Sequence, residues 1–203
     1  MPRDGSETRT ALLDEAERLF AERGVWAVTN REITEAAGQK NVSALNYHFG
    51  SRLALLGAVL ARRGDQLEAG RAERLALLGD DATTRALVHV LVSVYAGALT
   101  DAAGRNYVRV VDQLRAGLTD WRRGAAAGDV HLQRTLSILE ERPDAKPEIR
   151  SQRLVAMMML MVGMTAARAQ AIADEVEPDL SHDEFVESLT DILVAVLEGS
   201  GPS

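Results

Sequence analysis

Residues 32–52 read EITEAAGQKNVSALNYHFGSR, and this stretch decides the fold of the N-terminal part of the chain. A capping box that begins at Thr29 starts a helix, and Gly38 ends it. The short polar turn QKN then leads into a second helix, Ser43 to Phe49. Two short helices joined by a tight turn predict a helix-turn-helix, whose second helix enters the major groove of DNA.

The distribution of charge supports this interpretation better than the total does. The formal net charge is −7, which by itself argues against binding to nucleic acid. However, no acidic residue occurs from Ala36 to Gly64, and residues 24–63 contain five basic and two acidic residues. A basic region on an acidic body fits a protein that contacts DNA with one end, although chance variation in charge would also produce it.

Composition and motifs exclude several classes of protein. The chain of 203 residues has no cysteine, so disulfides and thiolate metal sites are excluded. Its charged N-terminus is unlike a secretory signal, and the apolar run Leu154–Ala167 is shorter than the ~20 residues that span a bilayer. No metal-ligand spacing, phosphate loop or nucleophile elbow occurs. We therefore expect a cytoplasmic protein without metal, cofactor, membrane contact or enzyme activity.

Good helix formers dominate the sequence, and no proline interrupts residues 3–142. We expect an all-α fold with a helix-turn-helix domain at 1–50 and a larger effector-binding and dimerisation domain at 51–203. About nine helices are expected, at residues 7–23, 29–38, 43–49, 52–78 with a break near Gly64 or Gly70, 82–100, 105–116, 119–142, 147–175 and 182–198.

The candidate DNA contacts follow from side-chain chemistry. Small residues let the second helix approach the base edges, and asparagine amides can pair with adenine. Hydroxyl, imidazole and cationic groups around them can donate to phosphates. The alternative for each is an ordinary solvated surface residue. The predicted DNA-binding residues are Thr29, Arg31, Lys40, Asn41, Ser43, Ala44, Asn46, Tyr47, His48 and Arg52.

The segments TNREITEAAG and VSALNYHFGSRLALL resemble the N-terminal domain of TetR-type (tetracycline-repressor-like) transcriptional regulators. Residues 7 to about 60 match that pattern in order and spacing, and the total length of 203 residues also fits. In this chain Asn46 occupies the place of the family's usual tyrosine, and Tyr47 follows one residue later. The resemblance implies a DNA-binding regulator that dimerises through its last two helices.

The C-terminal helices predict a homodimer. The segment QRLVAMMMLMVGMTAARAQA is apolar on almost every side, and the final helix has a wide apolar face. A chain of this size buries such helices most readily against a second copy, which would let the pair bind a palindromic operator in double-stranded DNA. The predicted interface residues are Met159, Gly163, Ala166, Phe185, Leu189, Ile192 and Val196.

The middle helices combine aromatic, methionine and polar residues that could line a pocket for a small, mostly apolar effector. Plain core packing and satisfied salt bridges are the alternatives at each position. The predicted effector-binding residues are Tyr95, Leu99, Arg109, Asp112, Gln113, Trp121, His131, Met158, Met161 and Arg168.

The sequence therefore predicts a homodimeric transcriptional regulator, in particular a repressor that its effector releases from DNA. In that mechanism the effector favours a conformation in which the fourth helix moves the two DNA-reading heads out of register. Two alternatives stay open at this point. One is a DNA-binding protein without an effector, and the other is an all-α carrier or enzyme for apolar small molecules that does not bind DNA.

Overall fold

The computed structural model describes residues 5–39, 41–79, 81–120 and 129–199. These residues form nine α-helices and no β-strand, which confirms the all-α prediction. The helices are α1 (Gly5–Arg23), α2 (Asn30–Ala36), α3 (Ser43–Phe49), α4 (Arg52–Ala76), α5 (Thr84–Gly97), α6 (Ala102–Gln113), α7 (Val130–Glu141), α8 (Pro147–Ala173) and α9 (His182–Glu198). Short 3₁₀ turns cover Ala98–Thr100 and Arg115–Asp120.

Three predicted helix boundaries are wrong. Helix α4 runs through Gly64 and Gly70 without the possible break, and Val94 of α5 lies close to Gly70. Helix α6 begins before the predicted Arg105, since the Asp101 carboxylate accepts a hydrogen bond from the Gly104 amide at 2.7 Å. The helix predicted at 119–142 is observed only at Val130–Glu141, and residues 121–128 lie outside the described part of the chain.

The buried side chains form two clusters, one in the N-terminal head and one in the C-terminal body. In the head, Phe20, Ile33 and Leu45 are fully buried between α1, α2 and α3. The first turns of α4 join this cluster through residues such as Leu55, whereas Leu67 further along the same helix joins the body cluster. The predicted domain boundary at residue 50, which stays a prediction, therefore falls at the start of a helix that both units share.

Local contacts fix both ends of α2. The predicted capping box is present: the Thr29 hydroxyl accepts a hydrogen bond from the Glu32 amide, and the Glu32 carboxylate accepts one from the Thr29 amide at 2.7 Å. At the other end, Gly38 has a φ of 70° and donates to the Glu35 carbonyl, while Gln39 donates to the carbonyl of Thr34. This pair of bonds is a Schellman motif, which needs a residue with positive φ and so selects glycine.

The capping box makes the stability of the head depend on pH. Hydrogen bonds from Thr29, assisted by Arg23, lower the pKa of Glu32 from 4.5 to about 2. A carboxyl with a depressed pKa contributes its stability above the unfolded value, and that contribution is lost as the pH falls from 4.5 towards 2. We expect Glu32→Gln to flatten the loss of stability in this window, which thermal unfolding at several pH values will measure. An unchanged pH profile would contradict the assignment.

Helix α8 is long and apolar enough to span a membrane by composition alone, with a mean hydropathy of 1.5 over its most apolar 18-residue window. In the fold it instead packs against α6, α7 and α9 as a helix of the body. Only 39% of that window is buried, so a large part of an apolar helix faces outward.

Candidate functional site

The recognition helix α3 turns one side inward and presents the other to solvent. Leu45 is fully buried and anchors the helix to the head core, while Phe49 packs against the same cluster. Ser43, Asn46 and Tyr47 are exposed, and 84% of the Tyr47 surface is accessible. These three predicted DNA contacts therefore lie together on one open face, which we call the recognition face.

The residues before α3 lie at its N-terminus, and one of them accepts a hydrogen bond from its first amide. The Asn41 side-chain oxygen accepts a hydrogen bond from the amide of Ser43, the first residue of α3, at 2.9 Å, so this predicted base contact is also used within the protein. Val42 is exposed beside it, and Ala44 is half-buried against the head core. The predicted contact at Lys40 lies outside the described residues.

The other predicted contacts flank the recognition face. Thr29 is exposed at the start of α2, where a phosphate can approach its backbone. Arg31 is well exposed and pairs with Glu35 at 2.7 Å, an exposed pair that contributes little and can be exchanged for a phosphate. The half-buried His48 ring lies against that of Tyr47 in an edge-on arrangement, with the ring centroids 5.1 Å apart.

Arg52 has a role inside the protein that the sequence did not predict. Its guanidinium donates to the Asn30 side-chain oxygen at 3.0 Å and to the carbonyl of Val25. It also lies over the Phe20 ring, 5.1 Å from the centroid. Arg52 therefore ties the start of α4 to the α1–α2 turn, and its contact with phosphate stays a prediction.

Arg9 is a candidate contact that sequence reasoning missed. Its guanidinium lies over the Phe49 ring, 5.0 Å from the centroid, next to the end of the recognition helix. The residue is exposed, so its charge is available to a phosphate beside α3. Forty positions separate the two side chains along the chain, and no local pattern pairs them.

The predicted dimer residues divide into two groups. Ala166, Phe185 and Leu189 are buried within one chain, so they support α8 and α9 from inside and have little surface left for a partner. Their place in a dimer interface stays a prediction. Ile192 is 43% exposed, and the side of α8 and α9 that faces outward also includes Leu160 and Met164, at 37% and 42%. Met159, Gly163 and Val196 are half-buried at its edges.

We call this outward side the α8–α9 face and define it by Leu160, Met164, Ala167, Ile192 and Ala195. All five are exposed and uncharged. Their spacing of three or four residues on each helix places them on one side of that helix. An exposed apolar patch of this kind marks a protein–protein contact more often than a free surface.

Four predicted effector residues belong to the body core: Tyr95, Leu99, Met158 and Met161 are all buried. The Tyr95 ring packs edge-on to that of Tyr107, with centroids 6.4 Å apart. Burial raises the pKa of Tyr95 well above its usual value and that of Tyr107 to about 12, so both hydroxyls stay protonated. Within the described residues the Tyr95 hydroxyl is buried without a hydrogen-bond partner.

The other predicted effector residues do not gather around one cavity. Arg168 lies over the Phe185 ring and donates to the carbonyl of Leu180, and Asp112 pairs with Arg115. Gln113 points to the head, as described below. The remaining three are Arg109 and His131, which are half-buried, and Trp121, which lies outside the described residues. Two surface clefts, of 260 and 290 Å³, are lined by other residues.

A buried ionic group in the body was also missed by the sequence. Arg71 on α4 is almost fully buried and pairs with Glu68 at 2.9 Å and with Asp129 at 3.8 Å. The Glu68 carboxylate also accepts a hydrogen bond from the amide of His131 at the start of α7. Arg71 and Asp129 are far apart in sequence, so only the packing of α4 against α7 brings them together.

Comparisons with known proteins agree with the fold. Residues 12–59 match the family described as bacterial regulatory proteins, tetR family. An 85-residue segment is 42% identical to the HTH-type transcriptional repressor KstR2 of Rhodococcus jostii strain RHA1. That match covers 41% of this chain and 41% of the relative, so the chain is aligned to about two fifths of that repressor.

Two solved structures share the whole fold. A TetR-like transcriptional regulator from Rhodococcus sp. RHA1 has a TM-score of 0.60 at 19% identity, over 98% of this chain and all of that one. NalD of Pseudomonas aeruginosa, the secondary repressor of the MexAB-OprM multidrug efflux pump, has a TM-score of 0.59 at 22% identity over the same shares.

The family match falls on the segment that forms α1 to α3 and the first turns of α4, which is the part that carries the recognition face. The structural likeness extends to the body. The proteins matched by sequence are described as transcriptional regulators, which favours a regulator over the carrier or enzyme that the sequence left open. Residues 12–59 therefore form a segment of the tetR family type, and the described chain has the fold of solved TetR-type regulators.

Proposed function

We propose that the protein is a cytoplasmic, homodimeric repressor that binds a palindromic operator and leaves it when a small, mostly apolar effector binds the body. The observation that carries the proposal is the recognition face, where Ser43, Asn46 and Tyr47 are exposed on a helix held from behind by the buried Leu45. Such a face can enter a major groove without disturbing the core of the head.

The charge around this face suits DNA. Arg9 lies over Phe49 at the end of α3, and Arg31 on α2 is exposed. Among the described residues, Arg31 forms an exposed ion pair with Glu35. A phosphate can displace that carboxylate, because exposed ion pairs are weak. Phosphate contacts would supply most of the affinity, and Asn46 would supply base discrimination.

Dimerisation is supported by the α8–α9 face. A second copy related by a two-fold axis would place Leu160, Met164 and Ile192 of the two chains against one another. The pair would form a four-helix interface and remove these apolar side chains from water. It would also set the spacing of the two recognition faces, which a palindromic operator matches.

Binding of an effector is supported by the unpartnered hydroxyl of Tyr95 in the body. Leaving a buried hydroxyl without a partner costs about 1–3 kcal/mol, and a ligand with a hydrogen-bond acceptor would remove this cost. Buried methionines next to it, such as Met158 and Met161, adapt to apolar ligands of different shapes. The effector would act by binding the form of the dimer that cannot hold DNA more tightly than the form that can.

The test begins with selection of DNA from a random duplex library by the purified protein. We expect enrichment of a palindromic sequence, and fluorescence anisotropy on that duplex will give the affinity as a function of salt. Asn46→Ala should weaken binding by about 5- to 100-fold and relax the preference at one base position. Tyr47→Ala should weaken binding to all duplexes with little change in the salt slope, because a neutral hydroxyl does not displace a counterion from the DNA.

The matched control is Leu77→Ala, an exposed position at the end of α4 on the body, which should leave both quantities unchanged. A library in which no sequence is enriched, or equal binding to selected and shuffled duplexes, would contradict the proposal.

A further inference from the structure

The end of α6 makes a direct contact with the head that involves backbone groups. The Val25 amide donates to the Gln113 side-chain oxygen at 2.6 Å, and the Gln113 side-chain nitrogen donates to the Phe20 carbonyl at 2.9 Å. Phe20 lies in the last turn of α1, and Val25 lies in the turn that leads to α2. One side chain of α6 therefore bridges the last turn of α1 and the start of the α1–α2 turn.

The same turn is held from a second helix. Arg52, at the start of α4, donates to the Val25 carbonyl, so α6 and α4 hold the two backbone groups of a single residue. Gly24 has a φ of 104°, a conformation that side chains rarely adopt, and it lets the chain turn so that the Val25 amide points at α6. These contacts leave the turn little freedom to move relative to either helix.

Apolar packing reinforces the bridge. Val110, one turn before Gln113 on α6, is fully buried in the cluster of the head and not in that of the body. Leu114, directly after Gln113, also packs against the head cluster. The end of α6 thus belongs to the packing of the head, although the helix starts in the body.

The opposite side of α6 lines the interior of the body. Tyr107 packs against Tyr95 there, and Asp112 lies close to Gly163 of α8. A displacement of α6 caused from inside the body would therefore move Gln113, and Gln113 would move the backbone that leads into the helix-turn-helix. This route does not pass through α4.

We propose that Gln113 is a positioning residue for DNA recognition: it fixes the head on α6, so that the placement of the recognition face follows α6 directly as well as through α4. The inference rests on the proposed DNA binding and adds the contact that sets the orientation of the head. Gln113 touches neither DNA nor effector in this role.

The test uses Gln113→Leu, which keeps the size of the side chain and removes both hydrogen bonds. Hydrogen exchange of the Val25 amide, followed by NMR, should become at least about tenfold faster, because its acceptor is gone. Affinity for the selected duplex should fall by about tenfold, because a loosely held head must be ordered on binding. The salt slope should not change, since no phosphate contact is lost.

Gln133→Leu on α7 is the matched control and should change neither exchange at Val25 nor affinity. Faster exchange with unchanged affinity would overturn the proposal and leave Gln113 as a local anchor. Unchanged exchange would overturn it too, because the hydrogen bond would then be absent in solution. If the wild-type protein selected no DNA, the proposed function itself would be wrong, and this outcome would be observed without any variant.

Discussion

Gly104→Ala is expected to lower the free energy of unfolding by about 3 kcal/mol, the upper end for an overpacked interior position. Gly104 lies in the first turn of α6 and is buried against the 3₁₀ turn Ala98–Thr100. An added Cβ would lie 1.9 Å from the Ala98 carbonyl oxygen and 2.8 Å from its carbon. These are backbone atoms, so no rotation of a side chain can relieve the clash, and α6 must move away.

Movement of α6 at this point would also break polar contacts. The Asp101 carboxylate caps the Gly104 amide and pairs with Arg63 of α4, and the Arg105 guanidinium donates to the Leu99 carbonyl at 2.9 Å. Urea and thermal denaturation followed by circular dichroism will measure the loss, with a fall in Tm of about 10 °C for a chain of this length.

Gly64→Ala is the control for a glycine-to-alanine change in this protein. Gly64 lies inside α4 and an added Cβ would meet no atom within 4 Å, so alanine should stabilise the helix by about 0.5–1 kcal/mol. Opposite signs for the two substitutions are the expected result. A neutral Gly104→Ala would mean that the approach of α6 to the 3₁₀ turn is looser than described.

The sequence predicted the head almost to the residue, because its helix ends carry strong local signals. The capping box at Thr29, the glycine at 38 and the Ser51 cap of α4 each act on neighbouring residues, and all three are observed. The start of α6 was missed for the opposite reason. The predicted helix began at Arg105, directly after Gly104, whereas the fold requires a glycine at 104 inside the helix for a close approach of two backbones.

The candidate sites were predictable to different degrees. The recognition face follows from the period of one short helix, so the exposure of Ser43, Asn46 and Tyr47 could be predicted, while their contact with DNA stays a prediction. The apolar pattern of α9 could not separate Phe185, which the chain buries itself, from Ile192, which it leaves exposed. The period of apolar residues indicates that one face of a helix is buried. It does not indicate whether the same chain or a second copy buries that face.

Polar contacts between residues far apart in the chain could not be predicted, because no local sequence pattern indicates them. Gln113 was assigned to an effector pocket because it is a polar residue on a middle helix, and the structure joins it to Phe20 and Val25, about 90 positions earlier. Arg52 was assigned to phosphate from its place after the recognition helix, and its guanidinium is used within the head. Only tertiary packing brings such partners together, and that packing cannot be predicted from a single sequence.

Leu160→Glu is expected to abolish dimerisation and, with it, tight binding to the operator. Leu160 is an exposed residue of the α8–α9 face, and in the proposed two-fold dimer this face of one chain would pack against the same face of its partner. The substitution would place two carboxylates in an apolar interface, and burying unpaired charges costs far more than the lost leucine contacts contribute. The same change costs one chain little, because the side chain is already partly exposed.

Light scattering after size exclusion should then give the monomer mass of 22.0 kDa in place of twice that value. Affinity for the selected palindromic duplex should fall by about 10²- to 10⁴-fold, because the second head no longer binds at a high effective concentration. Affinity for a duplex with a single half-site should change little, since each recognition face is intact. This difference separates a lost partner from a damaged head.

Leu77→Glu is the matched control, because it also places a glutamate at an exposed leucine, 85% accessible, on a different side of the body. It should remain a dimer and bind the palindrome as the wild type does. A dimeric Leu160→Glu protein would move the interface away from the α8–α9 face. A monomeric variant that still binds the palindrome tightly would show that the two heads do not act as a pair, since the geometry of a palindrome matters only to a dimer.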